Sequence, residues 1–404
     1  MPKFIVSILL LFANLLAVAQ VKTVKEAEHM MAVAKPDHAA VLKKILPALE
    51  NDETKENPEA WMIAGKSALG VWDKMMLSVS LGQNVSADVK KNASHKLIDA
   101  YTYFTKAMSL DSLPDGKGKI KPKHSKEIVK TLGKVYRSYR NAGIFLYDLK
   151  DYAGAYDAWE IYLTMPDKLD AKHKVIKPDN NSDLGQIYYY QALCALTTDK
   201  NQQALEKLGK SRKTGFSSRE LYLYAVEASR RLGNDSVMLD YARVGAELYG
   251  KEEVSFILLL INDRLKNDDF VACRSLAEEA LKSKSDDKIK SQLYNVIGVV
   301  DDHDGNFEGA LANFQKAVVY DESNAKAYFD LARVIYNEAL KIAENESLGG
   351  LDKAKPGLIK AAEYFEKAYA LDPQMIQIPA TLYSIYYRLG VGYEQQASRW
   401  QKLQ

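Results

Sequence analysis

The sequence predicts an all-α fold built as a solenoid of about nine helix-turn-helix units, and three observations carry that prediction. In the 34 residues of Ser291–Asn324, SQLYNVIGVVDDHDGNFEGALANFQKAVVYDESN, apolar side chains recur three and four positions apart in two successive runs. Tyr294, Ile297 and Gly298 share a face of the first run, and Ala310, Phe314 and Ala317 share a face of the second. Small and large residues also face each other. Gly298, Ala310 and Ala317 allow backbones to approach, while Tyr294, Phe307 and Phe314 supply the filling volume. Finally, Asp304-Gly305-Asn306-Phe307 separates the runs: Gly305 takes φ > 0 at little cost, and Asn306 suits the cap of the second helix. One such hairpin cannot bury both faces, so it requires neighbours of its own kind.

The chain supplies them in order. Residues 21–57 give one helix before Pro36 and a second capped by Asp37, with Ala40, Leu42, Ile45, Leu46 and Leu49 on its face. Pro47 lies inside that pattern and is expected to kink or shorten it. Asn57-Pro58 opens the second hairpin, 58–111, where Trp61, Ala64 and Gly65 face Ala100, Phe104 and Ala107. An insertion between them, with Trp72 and Met75 and then a polar run to Ser94, is expected to lengthen both helices and form an excursion rather than a separate domain. Residues 112–126, SLPDGKGKIKPKHSK, read as a solvated linker; the sharper reading is a docking site for an anionic partner or lipid surface.

The third hairpin, 136–169, sets Tyr139, Ala142 and Gly143 against Ala155, Trp159 and Tyr162, with Pro166 at its exit. Asp170–Asp183 is a polar insert whose Asn and Asp residues read as turn and cap. The fourth, 185–218, carries Tyr188, Ala192, Ala204 and Leu208. The fifth, 219–253, is degenerate around its turn at Leu232–Asp235. The sixth, 254–287, has Ile257 and Leu260, a turn at Asp268-Asp269-Phe270, then Ala277 and Ala280. After 291–324, the eighth unit, 325–374, places Tyr328, Leu331 and Ala332 against Ala361, Phe365 and Ala368, with an insertion containing Leu348-Gly349-Gly350. Residues 375–404, with Tyr383, Tyr386, Tyr387 and a polar last helix, read as a cap.

The ends and the composition bound the rest. Lys3, the apolar run Phe4–Leu16 and the small-x-small Ala17-Val18-Ala19 read as a signal peptide over 1–19, with Gln20 as the new terminus of an exported chain. The run is shorter than the ~20 residues a membrane-spanning helix needs, and no cysteine follows it to carry a lipid. No later segment reaches spanning length. Lys+Arg total 55 against 53 Asp+Glu, so no global field argues for nucleic acid. Cys194 and Cys273 both fall on apolar-periodic positions of non-adjacent hairpins and read as two buried free thiols rather than a disulfide.

The 34-residue pattern resembles the tetratricopeptide repeat over nearly the whole mature chain. That resemblance implies a right-handed superhelical solenoid; together with the signal peptide it reads as an exported protein of the Gram-negative envelope type, periplasmic or extracellular/outer-membrane-associated. In the family the first helix of each hairpin lines a concave groove. The resemblance therefore points to Arg137, Arg140, Tyr189, Tyr224, Asn262, Asn295, Lys326, Phe329 and Arg333 as residues that bind a protein or peptide partner. The family's carboxylate clamp of lysines, asparagines and an arginine is not matched across two adjacent hairpins and is not carried over. A solenoid receptor for a small ligand or glycan is the rival reading; stacked exposed aromatics would favour it, and mixed cations and amides favour peptide.

Catalysis finds no constellation. The six histidines are scattered over separate hairpins and linkers, and no HExxH, P-loop, GxSxG or CxxC occurs. Asp301-Asp302-His303-Asp304 is the one cluster that suggests a cation, but an EF-hand loop begun at Asp302 would put Phe307 where its glycine belongs, so a turn role is the better reading. The 25 tyrosines fall mostly at large core positions of the repeat. The sequence thus predicts a non-enzymatic scaffold without cofactor or metal.

Overall fold

Within each of two compact units, helices pair with their sequence neighbours. A computed structural model describes residues 21–114, 117–169, 176, 179–283, 285–348 and 350–404. The expected signal peptide and part of the Asp170–Asp183 insert lie outside them. Helices α1 (residues 21–31), α2 (His38–Glu50), α3 (Pro58–Ser80), α4 (Ala87–Asp111), α5 (Ser125–Asp148), α6 (Tyr152–Leu169), α7 (Asn181–Thr197) and α8 (Asn201–Lys213) belong to a first compact unit that ends at Ser217. A second unit, Ser218–Gln404, contains α9 (Arg219–Arg231), α10 (Asp235–Tyr249), α11 (Ser255–Lys266), α12 (Phe270–Leu281), α13 (Asp287–His303), α14 (Phe307–Tyr320), α15 (Ala325–Ala343), α16 (Gly350–Leu371), α17 (Gln377–Leu389) and α18 (Glu394–Gln401). No strand occurs among the described residues. Within each unit, helices pack on the ones before and after them; α4 also reaches α6, and α13 reaches α15. The fold is an all-α solenoid of helix hairpins.

Three of the hairpins close on a glycine opposite a ring. A Cβ added to Gly298 in α13 would stand 2.7 Å from the Phe314 ring of α14. The same contact recurs where Gly65 of α3 meets Phe104 of α4, at 2.6 Å, and where Gly143 of α5 meets the Trp159 indole of α6, at 2.2 Å. All three rings are buried. At these positions a methyl or larger group would force the ring to shift or the helices to separate. In the eighth unit Ala332 holds the corresponding position, and Phe365 is likewise buried.

The turns follow the same economy. Gly305 sits at φ 73°, and Asn306 caps α14 by accepting from the Gly309 amide at 3.1 Å. Asp37 accepts from the amides of Ala39 and Ala40 to cap α2, and Asn57 caps α3 with Pro58 next to it.

Some expectations change. Pro47 does not shorten α2, which runs on to Glu50: burial of Ala48 and Leu49 holds the last turn despite one lost amide donor. Pro166 likewise lies inside α6 rather than beyond its end. Both helices of the second hairpin are long, as expected, but the polar run to Ser94 is mostly the start of α4, capped by Ser86. In the sixth hairpin Phe256, Ile257 and Ile261 are buried, and Leu260 only partly.

The largest correction concerns α5, which begins at Ser125 rather than near Tyr136. Ile128, Val129 and Leu132 are buried on the face continued by Tyr136 and Tyr139. Its first turn is held from the end of α4. The Asp111 carboxylate accepts from the amides of Lys123, His124 and Ser125 at 2.8, 2.9 and 2.8 Å and from the Ser125 hydroxyl at 2.7 Å. Burial alone raises the Asp111 pKa, but these bonds outweigh it and bring the group down to about 2.

Two measurements test this packing. Phe314→Ala is expected to cost about 3–5 kcal/mol and Gly298→Leu about 1–3 kcal/mol in denaturant unfolding; neutral results at both would contradict the register. The Asp111 cap predicts an acid-dependent term. Its folded pKa is lowered, so its contribution is complete above the ordinary value of 3.8 and is lost as pH falls toward about 2. Asp111→Asn should therefore lower the melting temperature at pH 6, and the gap from the parent should close as pH falls through that window.

Candidate functional site

A groove in the second unit runs between the first helices of successive hairpins. It has a volume of about 740 Å³ and is walled by Leu258, Ile261, Asn262 and Leu265 of α11, by Gln292, Asn295, Val296 and Val299 of α13, and by the start of α15 with Lys326. On α13 the spacing of three, four and seven residues from Gln292 puts these four side chains on one face, while Leu293, Ile297 and Val300 turn into the core. Asn324 fixes where α15 begins. It accepts from the Ala327 amide at 3.0 Å and donates to the Ser291 hydroxyl at 2.9 Å, which itself donates to the Ala317 carbonyl at 2.7 Å.

One amide in this groove has its orientation set. Asn295 is buried, and its Nδ2 donates to Asp330 Oδ2 at 3.0 Å. A carboxylate only accepts, so the amide nitrogen must face Asp330. Asn295 Oδ1 is left buried with no partner among the described residues. Asp330 is buried as well. Lys326 Nζ reaches its Oδ2 at 2.9 Å, and Arg333 Nε lies 3.7 Å from its Oδ1. Arg333 in turn donates to Asp302 at 2.7 Å. Asn262 is exposed on the opposite wall.

The nine residues singled out from the sequence are therefore distributed unevenly. Asn262, Asn295 and Lys326 wall one groove, and Arg333 supports it through Asp330. Phe329 packs edge-on against Phe365 at 5.6 Å, which makes it chiefly a packing residue. Tyr224 lies on α9, 38% exposed. In the first unit Tyr189 meets Phe216 at 5.3 Å and Tyr190 at 5.5 Å. Arg137 and Arg140 are engaged within the chain. Arg137 donates twice to Asp179 Oδ1, at 3.0 and 3.2 Å, and Arg140 lies 3.5 Å from Asp179 Oδ2, which also accepts from the Tyr162 hydroxyl. Burial raises the Asp179 pKa, but these donors outweigh it and hold it below the usual carboxylate range. Beside Arg140 a smaller cavity of about 260 Å³ is lined by Ile144, Tyr147, Trp159 and Tyr190.

Asp330 was missed from the sequence. The signal available was its position four residues after Lys326, the spacing of a helical ion pair.

The acidic cluster Asp301–Asp304 is a strap between hairpins. Asp301 is buried and accepts from Arg274 at 2.9 Å, Asn313 at 2.7 Å and Asn306 at 3.2 Å. Asp304 meets the same Arg274 at 3.2 Å, Asp302 meets Arg333, and His303 stacks on Phe270 at 3.8 Å. Among the described residues no group of three or more His, Cys, Asp or Glu side chains is placed to hold a metal ion, and no helix is long and apolar enough to cross a membrane.

No protein-family model matches the chain, and no curated relative does. Among solved structures, the chain is similar to the C-terminal part of a TPR repeat-containing protein from Cytophaga hutchinsonii, at 15% identity and TM-score 0.40, covering 66% of this chain and 93% of that one. It is also similar to a TPR repeats protein from Bacteroides fragilis, at 16% identity and TM-score 0.29, over 67% of this chain and 99% of that one. A third is the TPR domain of P58(IPK), at 13% identity and TM-score 0.31, over 95% and 98%. The fold described above rests on the helix packing of the chain itself.

Cys194 and Cys273 are both buried and free. Burial pushes the Cys194 thiol up to about 12, and Cys273 is also raised. Neither is poised as a nucleophile. The expected outcome of a thiol titration at pH 8 is no fast-reacting group in the native protein and two in denaturant; a fast native reaction at either would contradict the packing.

Proposed function

We propose that the protein is a non-enzymatic scaffold that receives an extended segment of a partner protein in the groove between α11, α13 and α15. The observation that carries this reading is the Asn295 amide. Asp330 holds its nitrogen, so its oxygen is an oriented acceptor, buried in the groove wall without a partner among the described residues, which an N–H donor of a bound segment would satisfy once the neighbouring wall side chains part. A peptide backbone supplies such donors at regular spacing, and exposed Asn262 across the groove can both donate and accept. Leu258, Val296 and Val299 between them provide the apolar surface for a side chain of the segment. The groove stands on helices whose spacing is fixed by packing, so little ordering of the receptor opposes binding.

The groove's composition favours peptide over sugar. Its ring, Phe270, is already stacked on His303, and the remaining walls are aliphatic, amide and charged. In the first unit, Tyr147, Trp159 and Tyr190 pack tilted or edge-on against one another rather than presenting parallel faces. We further propose export to the envelope of a Gram-negative cell, supported by the pattern of residues 1–19; a mature chain that begins at Gln20 is the expected result of N-terminal sequencing.

Selection of a displayed peptide library on the full chain tests the groove. Peptides recovered should lose about tenfold in affinity to Asn295→Ala, and a similar factor to Asn262→Ala, the loss of roughly one hydrogen bond each. Peptides that bind both variants as tightly as the parent would place the site elsewhere.

A further inference from the structure

Positive charge is concentrated in one short part of the first unit. From Ser112 to Arg137 the chain carries eight cationic side chains and two carboxylates, a net charge of +6. The whole chain carries +2, which leaves −4 on everything else. Lys117, Lys119, Lys121 and Lys123 are exposed in the loop between α4 and α5. Lys126, Lys130 and Lys134 continue them as exposed residues of α5, four apart and therefore on one helix face. The carboxylate in this stripe, Glu127, is engaged by Lys66 at 2.8 Å. The Asp111 cap binds the amides of Lys123, His124 and Ser125, so the loop's end and the start of the helical stripe are fixed to each other.

From this arrangement we infer that Leu113 and residues 117–134 form a docking surface for an anionic lipid membrane. The charges are all lysine until Arg137, and Arg137 is already bound to Asp179. Lysines act as point charges without the directional fork that reads a folded acidic protein, so they suit a surface of mobile headgroups. Two aliphatic side chains accompany them. Leu113 is 58% exposed and Ile120 is 59% exposed, and Ile120 sits directly between Lys119 and Lys121. An isolated aliphatic side chain ringed by lysines gains little from water but can enter the boundary between headgroups and acyl chains when the lysines bring it there. This surface belongs to the first unit and the peptide groove to the second, and the two share no residue.

Vesicle flotation of the full chain tests the assignment, comparing phosphatidylcholine alone with mixtures that contain about a third phosphatidylserine. The apolar run Phe4–Leu16 would favour both vesicle types alike, so the difference between them is the readout. Binding is expected to rise at least about tenfold on the anionic vesicles and to fade as salt shortens the screening length. The variant Lys117→Gln, Lys119→Gln, Lys121→Gln, Lys123→Gln should lose that rise. Ile120→Asp should weaken it further at physiological salt, with unchanged melting curves showing that both variants are folded. Equal binding to both vesicle types, or an unaltered rise in the lysine variant, would overturn the inference. So would retention by polyglutamate without binding to anionic vesicles, which would assign the surface to an acidic protein.

Discussion

The contact on which the structure depends is a helical glycine pressed under an aromatic ring. Gly298 beneath Phe314, Gly65 beneath Phe104 and Gly143 beneath Trp159 set how closely the two helices of a hairpin approach. Within each unit the hairpins pack on their sequence neighbours, so the core is carried from one pair of helices to the next instead of converging on a centre. Dispersion and area burial do the stabilising, but only because the backbone distance admits the ring.

The groove follows from that spacing. Once the inner faces of α13 and α14 are committed to Gly298 and Phe314, the neighbouring face of α13 is left with Gln292, Asn295, Val296 and Val299. Polar straps hold the adjoining hairpins in place around it. Arg274 ties α12 to Asp301 and Asp304, and Arg333 ties α15 to Asp302. Asp330 then performs two tasks. Lys326 and Arg333 compensate its buried charge, and it fixes the Asn295 amide with the oxygen left unpaired.

Much of the fold was legible because glycine, alanine and aromatic positions recur with helical spacing, and because Asp37, Asn57, Gly305 and Asn306 announce helix ends through their own local chemistry. The start of α5 was not read, although Ile128, Val129 and Leu132 continue the period of Tyr136 and Tyr139. The preceding lysines, glycines and prolines masked it, and its cap comes from Asp111, on the helix before. Burial overrode local propensity at Pro47 and Pro166. For the candidate site, the resemblance to the repeat pointed to Asn262, Asn295 and Lys326 on first helices, and these three wall the groove between α11, α13 and α15. The resemblance could not show that Arg137 and Arg140 would be met by Asp179, 42 and 39 positions further on, because that pairing is a tertiary event.

The most direct test of the nearest-neighbour account is native-state hydrogen exchange on a Gly298→Ala variant, because the atoms nearest the added methyl all belong to the Phe314 ring. The account predicts that amide protection falls in α13 and α14, less in α12 and α15, and stays at the parent level in α17 and α18. A uniform loss across the second unit would mean that its helices share one cooperative core, and would contradict it.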